Sequence, residues 1–331
     1  MSACLELAVP APRRWLPNPH SEVFGIACGA TLAFGAAVSF AVARAGLLGG
    51  LVTLDLILVR FLVAGIVLFP VLLRAGLWTL GGIGWARGLV LLVTGGPLFA
   101  LLQTGGYAYA PLAHGAVIAP AAVTIFSTAI AAAFLRERLT RAHIAGAALV
   151  ITGIVLISAH GLRTEAGGQA WIGDLMFLAS SILWAGFTVL VRYWQLNAVR
   201  AIAAMSLLSL LVMLPLYGAT LGFGRLLVVP VGALALQGLV QGGLQGSIAV
   251  VAYSHSIRVL GVSKAVLFPS IVPAISVLIG IPLLGEIPDS VQIGGLILVT
   301  IGLLAAVGVT GRGGRRKHVT LYVTKEGHDD A

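Results

Sequence analysis

Three glutamines stand four residues apart, at Gln237, Gln241 and Gln245. Residues at i, i+4 and i+8 share one face of an α-helix. Each amide offers an acceptor and two donors, which suits a neutral or zwitterionic solute. Gly238, Gly242 and Gly246 run beside them as a second stripe, where another backbone can approach closely. Three amides on one face exceed what ties between helices require, so the stripe is expected to line a polar cavity. Interhelical tying is the plainer alternative.

Other residues could join such a cavity. Gln103 and Tyr107 share a helical face, behind a kink expected at Pro97. Ser180, Trp184 and Thr188 share another. An indole at mid-membrane depth leaves its N–H unsatisfied if it faces lipid, so Trp184 is expected to point inward. Pro120 and Pro269 each remove a helical hydrogen bond and are read as hinges or static kinks. Arg60 is the one basic residue well inside an apolar run. It is expected to pair with Asp55 or a carbonyl; the functional alternative has it attract a substrate carboxylate. Glu137 and Glu286 each lie three residues before a helix cap, Thr140 and Asp289. They are expected to satisfy the first amides of the following helix, as fasteners or gates.

Catalytic patterns are missing. There is no G-x-x-x-x-G-K-[ST] and no H-E-x-x-H. Gly261-Val262-Ser263-Lys264-Ala265 is one residue short of G-x-S-x-G. His114, His143 and His255 show no metal spacing. No catalytic residue, metal site or cofactor is assigned. Asp55 and Asp174 lie near the edges of apolar runs, so paired deep carboxylates are not expected either.

The elements that must position these residues follow from composition. Of 331 residues, 59% are hydrophobic and only 9% are charged; mean hydropathy is +1.05. Soluble domains carry roughly 25% charged residues. The excess of apolar residues excludes an ordinary cytosolic enzyme, a disordered chain and a disulfide scaffold. It implies a polytopic membrane protein. Two cysteines, Cys4 and Cys28, give no disulfide framework.

Ten apolar runs have the length of a bilayer crossing: about 24–43, 51–73, 88–109, 114–135, 142–160, 172–191, 201–221, 232–253, 263–284 and 291–309. With the N-terminus in the cytoplasm, 16 Lys and Arg fall on the cytoplasmic side and 3 (Arg44, Arg163 and Arg225) on the other. The positive-inside rule then places both termini in the cytoplasm. The net charge of +9 is a topology signal, and no nucleic acid is expected as a partner.

The chain also repeats itself at an offset of 149 residues. Ala116, Val117, Pro120, Val123, Ser127, Ile130, Leu135 and Glu137 match Ala265, Val266, Pro269, Val272, Ser276, Ile279, Leu284 and Glu286. The match runs on through Ile144, Gly146, Leu149, Val150 and Gly153 against Ile293, Gly295, Leu298, Val299 and Gly302, giving 13 identities over 38 positions. At an offset of 150, Phe34 is the counterpart of Trp184 and joins the candidate lining, with Thr31 and Ser39 nearby. Five helices per repeat force the second copy into the membrane in the opposite sense, a plan common among secondary transporters. The expected organisation is a tail over 1–22, a first repeat over 23–160, an inverted second repeat over 161–309 and a tail over 310–331.

The two motifs, Pro120…Glu137…Ile144-Ala145-Gly146…Gly153 and Pro269…Glu286…Ile293-Gly294-Gly295…Gly302, resemble the EamA domain of the drug/metabolite transporter superfamily over nearly the whole chain. Within it the chain looks most similar to the YddG-type bacterial exporters of aromatic amino acids. The resemblance implies an all-α bundle of ten transmembrane helices in a bacterial inner membrane, with cytoplasmic termini. It also implies export of small metabolites, with the fifth and tenth helices outside the substrate basket. No carboxylate lies mid-span in Thr31–Phe40, where small multidrug exporters of the superfamily carry a proton-coupling Glu. Neutral amino acids therefore fit better than cationic drugs. The expected activity is export of aromatic and other neutral amino acids by alternating access, with the lipid bilayer and a small-molecule substrate as partners, as a monomer or weak homo-oligomer. The alternatives are a multidrug or cation exporter of the same superfamily and an intramembrane enzyme.

Overall fold

The computed structural model describes residues 21–134, 136, 139–164 and 168–306. Every regular element among them is a helix. Nine are long and apolar enough to cross a membrane. They are α1 (Glu22–Leu48), α2 (Thr53–Ala75), α3 (Trp85–Tyr109), α4 (Leu112–Phe134), α5 (Arg141–Thr164), α6 (Ala170–Tyr193), α7 (Ala198–Thr220), α8 (Val231–Leu260) and α9 (Leu267–Leu284). A further apolar helix, α10 (Ser290–Ala306), has 17 described residues. The chain is a multi-pass membrane protein.

Local chemistry sets several ends. Ser21 Oγ accepts from the Phe24 N–H at the start of α1, and Asn197 Oδ1 accepts from Val199 and Arg200 at the start of α7. Asp289 Oδ1 caps α10 by accepting from Val291 and Gln292, each at 2.8 Å. Such side chains take up amides that have no carbonyl partner within the first turn.

Two spans are irregular. α3 stops at Gly95 and restarts at Pro97, with Gly96 at φ −87°, ψ −140° between the segments. Pro97 is the first residue of the second segment, where its missing N–H costs nothing. α8 widens into a π-helix over Gly238–Ile248. Ser247 Oγ donates 2.9 Å to the Gly242 carbonyl, five residues back.

Packing follows the small residues. α1 packs against α8 and α9, and α6 against α3 and α4; α2 packs on α7 and α8, and α4 on α9. α5 packs on α10, and the repeated motif glycines make that contact. A Cβ on Gly146 would stand 2.6 Å from the Gly302 carbonyl oxygen, and one on Gly153 would stand 2.8 Å from that of Gly295. Neither distance admits a side chain. The glycines of the I-x-G-x-x-L-V-x-x-G motif are thus the mutual contact surface of α5 and α10.

Candidate functional site

The interior polar residues fall into three groups. The first joins α3 to α6. Ser180 Oγ sits 2.8 Å from Gln103 Oε1 and 2.8 Å from the Phe177 carbonyl, so its single proton serves one acceptor at a time. The Tyr107 hydroxyl and Gln103 Nε2 are both buried without a hydrogen-bond partner among the described residues. The Tyr107 ring packs on Phe177 at 4.9 Å and Phe40 at 6.1 Å. Trp184 is half-buried and stacked between Phe99 (4.7 Å) and Phe187 (4.9 Å). It faces the bundle, as expected, but both ring faces are covered by protein. Thr188 Oγ1 lies 3.3 Å from Ser127 Oγ. It borders a cavity of about 260 Å³ with Thr128, His143 and Arg192.

The second group is the glutamine stripe. Gln237 Nε2 donates 2.7 Å to the Val42 carbonyl, and Gln241 Nε2 donates 2.7 Å to that of Ser39. Both side chains are buried and tie α8 to α1. Gln245 faces the same helix, its Oε1 3.2 Å from where a Cβ on Gly35 would stand, so the three amides share one face and it is turned toward α1. Gln237 and Gln245 each keep a buried Oε1 without a partner among the described residues, and Gln245 has no side-chain hydrogen bond at all there. The glycine expectation holds at Gly242, where a Cβ would stand 2.5 Å from the Arg60 carbonyl oxygen of α2. Phe34 is 57% exposed and joins no ring pair among the described residues. It shares its sequence register with Trp184 but not its surroundings.

The third group closes one end of the bundle. Arg44 Nε donates 2.9 Å to Glu286 Oε1, and Arg44 Nη1 donates to the Tyr107 carbonyl. Glu286 Oε2 accepts from the Leu112 N–H at 2.7 Å. One carboxylate thus joins the ends of α1 and α3 to the start of α4. Glu286 was expected to satisfy α10; Asp289 does that instead, and Glu286 reaches the first residue of α4. The cavity beside this latch measures about 430 Å³ and is lined by Arg44, Tyr109, Glu286 and Gln292 among others. That volume lies in the range of small-molecule pockets. Glu137, the sequence counterpart, lies outside the described residues.

The prolines differ. Pro120 sits inside α4, and the Ser181 hydroxyl lies 2.6 Å from the Phe177 carbonyl and 3.1 Å from the Ala119 carbonyl beside Pro120, its one proton serving either. Pro269 is the third residue of α9, which starts afresh at Leu267. There its missing N–H is one of the free amides of a first turn, so it does not interrupt a helix as Pro120 does. The interior prolines of α9 are Pro273 and Pro282.

Arg60 is not paired with Asp55. Asp55 accepts from Tyr217 Oη at 2.6 Å and from Arg225 Nε at 3.1 Å. The Asp55 carboxylate in turn raises the pKa of Arg225 above its usual value, through hydrogen bonding and then charge. Arg60 instead rests on the rings of Phe61 and Phe99, 5.9 and 5.8 Å from their centroids. An Arg mid-helix costs about 2.5–3.5 kcal/mol on insertion scales, and cation–π contacts return about 0.5–2 kcal/mol each.

A model of the EamA-like transporter family matches residues 23–159 and again residues 171–308. The chain belongs to this family. It is 26% identical over 216 residues to a probable terminal-alkyne amino-acid exporter of Streptantibioticus cattleyicolor, covering 64% of this chain and 69% of that one. A solved crystal structure has the same fold, with TM-score 0.56 and 20% identity over 84% of this chain and 95% of the other. EamA membership makes this a transporter rather than an enzyme, of the drug/metabolite superfamily that the two motifs suggested.

Sequence reasoning missed three clusters in this EamA-like protein. They are the Arg44–Glu286 latch, the Asp55–Tyr217–Arg225 cluster, and His114 Nδ1 at 2.8 Å from Asp174 Oδ1. Their partners lie 60 to 242 residues apart in sequence. The one local signal was a charged residue near the end of an apolar run.

Proposed function

We propose that the protein is a secondary transporter that exports aromatic and other neutral amino acids and related small metabolites across a bacterial inner membrane. In this reading ten helices cross the bilayer as two five-helix repeats of opposite sense, with both termini in the cytoplasm. The observation that carries it is the double family match over 23–159 and 171–308. Packing supports the inverted arrangement, because α1 lies against α8 and α9 as α6 lies against α3 and α4. Each set of contacts maps onto the other when the repeats are exchanged.

The cycle is alternating access. Two cavities lie at different helix ends. One is beside the Arg44–Glu286 latch, and the other is among Ser127, Thr128, Thr188 and Arg192. Between them lie Gln103, Tyr107, Ser180, Trp184 and Gln245 as candidate substrate contacts. Gln237 and Gln241 hold α1 against α8 around that region. Pro120 and the Gly96–Pro97 break supply the bending points. Amino-acid substrates are supported by the name of the Streptantibioticus relative and by the scarcity of charge in the interior.

Counterflow with purified protein in liposomes tests the proposal. Labelled phenylalanine and other neutral amino acids are expected to accumulate, and a sugar phosphate is not. Uptake of an organic cation alone, with proton dependence, would replace this reading with a multidrug exporter. Turnover of a substrate without transport would replace it with an enzyme.

A further inference from the structure

We infer that the Arg60 guanidinium, held on the rings of Phe61 and Phe99, is the subsite for a carboxylate of the transported molecule. The inference rests on the amino-acid export reading and names the atom group that meets the substrate. Four observations carry it.

Arg60 is deep, seven residues into the 23-residue helix α2. It is also turned inward. Leu56 and Ala64, one turn to either side of it on the same face, are both buried. Of the large exposed side chains of α2, Leu62, Ile66 and Leu73 lie within half a right angle of one another and nearly opposite Arg60, and Val67 lies on the Arg60 side two turns further along. Its backbone carbonyl touches Gly242 of α8 and its guanidinium lies near Phe99 of α3. It nevertheless keeps accessible surface, being only half-buried.

No described carboxylate is left to neutralise it. Glu22 pairs with Lys264, Asp55 with Arg225 and Tyr217, Asp174 with His114, and Glu286 with Arg44. Asp289 caps α10. Arg60 has no hydrogen bond or ion pair to any described residue. A cation at that depth calls for an anionic partner, which the carboxylate of a transported molecule supplies.

The chemistry of the group selects the ligand class. A guanidinium is planar and offers a fork of N–H donors matched to two coplanar oxygens. The two phenyl rings hold it by their π faces and compete for none of its hydrogen bonds. A carboxylate therefore docks edge-on to the fork. Phe99 continues into the stack with Trp184 and Phe187. The Trp184 indole N–H, with no hydrogen bond among the described residues, is a second donor on the same aromatic ladder.

Two measurements test this. In counterflow of labelled phenylalanine, the unlabelled competitors are phenylalanine, phenylalaninamide and 3-phenylpropanoate. In the wild-type protein, phenylalanine is expected to compete at least about tenfold better than its amide, a gap of about 1.4 kcal/mol, and 3-phenylpropanoate to compete as well. Arg60→Gln is expected to erase the gap by weakening the acids and leaving the amide unchanged. Equal competition by acid and amide in the wild type, or an undiminished gap in Arg60→Gln, overturns the subsite. The second measurement needs no transport and no variant. Butanedione modification of wild-type Arg60, read by mass spectrometry, is expected to slow in the presence of 3-phenylpropanoate and not of phenylalaninamide. Protection by the acid without any amino-acid counterflow would keep the subsite and reject amino-acid export. Absence of selective protection rejects the subsite alone.

Discussion

The third and eighth helices occupy corresponding places in the two repeats, yet they bend by different means. α3 is cut at Gly96 by the proline that follows it, and α8 contains no proline and loosens into π turns over Gly238–Ile248. At the offset of 149 residues, Gly96 falls on Gln245, inside that π stretch. Both helices abandon regular α geometry at the same level. The shared requirement is irregular backbone beside an internal site, which membrane helices tolerate where protein covers it. One repeat meets it by deleting a donor. The other uses four glycines between residues 238 and 246, of which Gly242 meets the backbone of α2.

That difference can be broken at Gly242. At the same offset its counterpart in α3 is Val93, which is 56% exposed. Gly242→Val makes the two helices alike there, but its Cβ would meet the Arg60 carbonyl at 2.5 Å and the Ala64 nitrogen at 2.9 Å. Backbone atoms cannot rotate away, so the cost is expected at about 3 kcal/mol, the upper end for overpacking. The thermal midpoint in detergent should fall by about 6–12 °C. Val93→Ala should move it by less than about 2 °C. Equal effects would show that the two positions are not structurally distinct.

The contrast also bears on how far the sequence could be read. Apolar run length revealed the spans, because a bilayer fixes element length before any packing is known. The kink at Pro97 was legible, since proline acts through its own covalent structure. The π stretch was not, because it depends on which neighbour presses against which glycine. The same limit explains the candidate site. Gln103, Tyr107, Ser180 and Trp184 gather between α3 and α6. Gln237 and Gln241 are turned to carbonyls of α1, and Phe34 is left exposed. The shared face of the three glutamines was legible, but its direction toward α1 was not, because that depends on which helix packs beside it. The latch joins residues 242 apart, and local spacing contains no trace of such a pair.

The next comparison is between the two ends of the bundle. Glu286→Gln keeps a hydrogen-bond acceptor for Leu112 but removes the charge facing Arg44. Exposed pairs contribute about 0–1 kcal/mol and buried ones several. For side chains 16% and 26% exposed the expected loss is about 1 kcal/mol, or roughly a fivefold shift in the balance of closed and open ends. Single cysteines placed at Ala108 and Ala131, which border the two cavities, report it in a chain lacking Cys4 and Cys28. Maleimide labelling should quicken at residue 108 and slow at residue 131. Faster labelling at both would mean that the ends are not coupled and would break the alternating-access reading.

The smallest effect separates a tie from a substrate contact. Gln241→Leu removes one hydrogen bond between α8 and α1. Such bonds average about 0.6 kcal/mol in membrane helices, so the thermal midpoint should drop by about 1–2 °C. A tie and a substrate contact differ in what else changes. If Gln241 only holds the Ser39 carbonyl, the counterflow KM for phenylalanine should stay within about twofold of wild type, because the substrate never met the amide. Gln103→Leu removes an amide from the opposing pair, where Ser180 retains the Phe177 carbonyl as acceptor. Its stability cost should be similar, and its KM should rise. A KM increase in Gln241→Leu equal to that in Gln103→Leu would put both glutamines on the substrate and require the α1–α8 contact to open during transport.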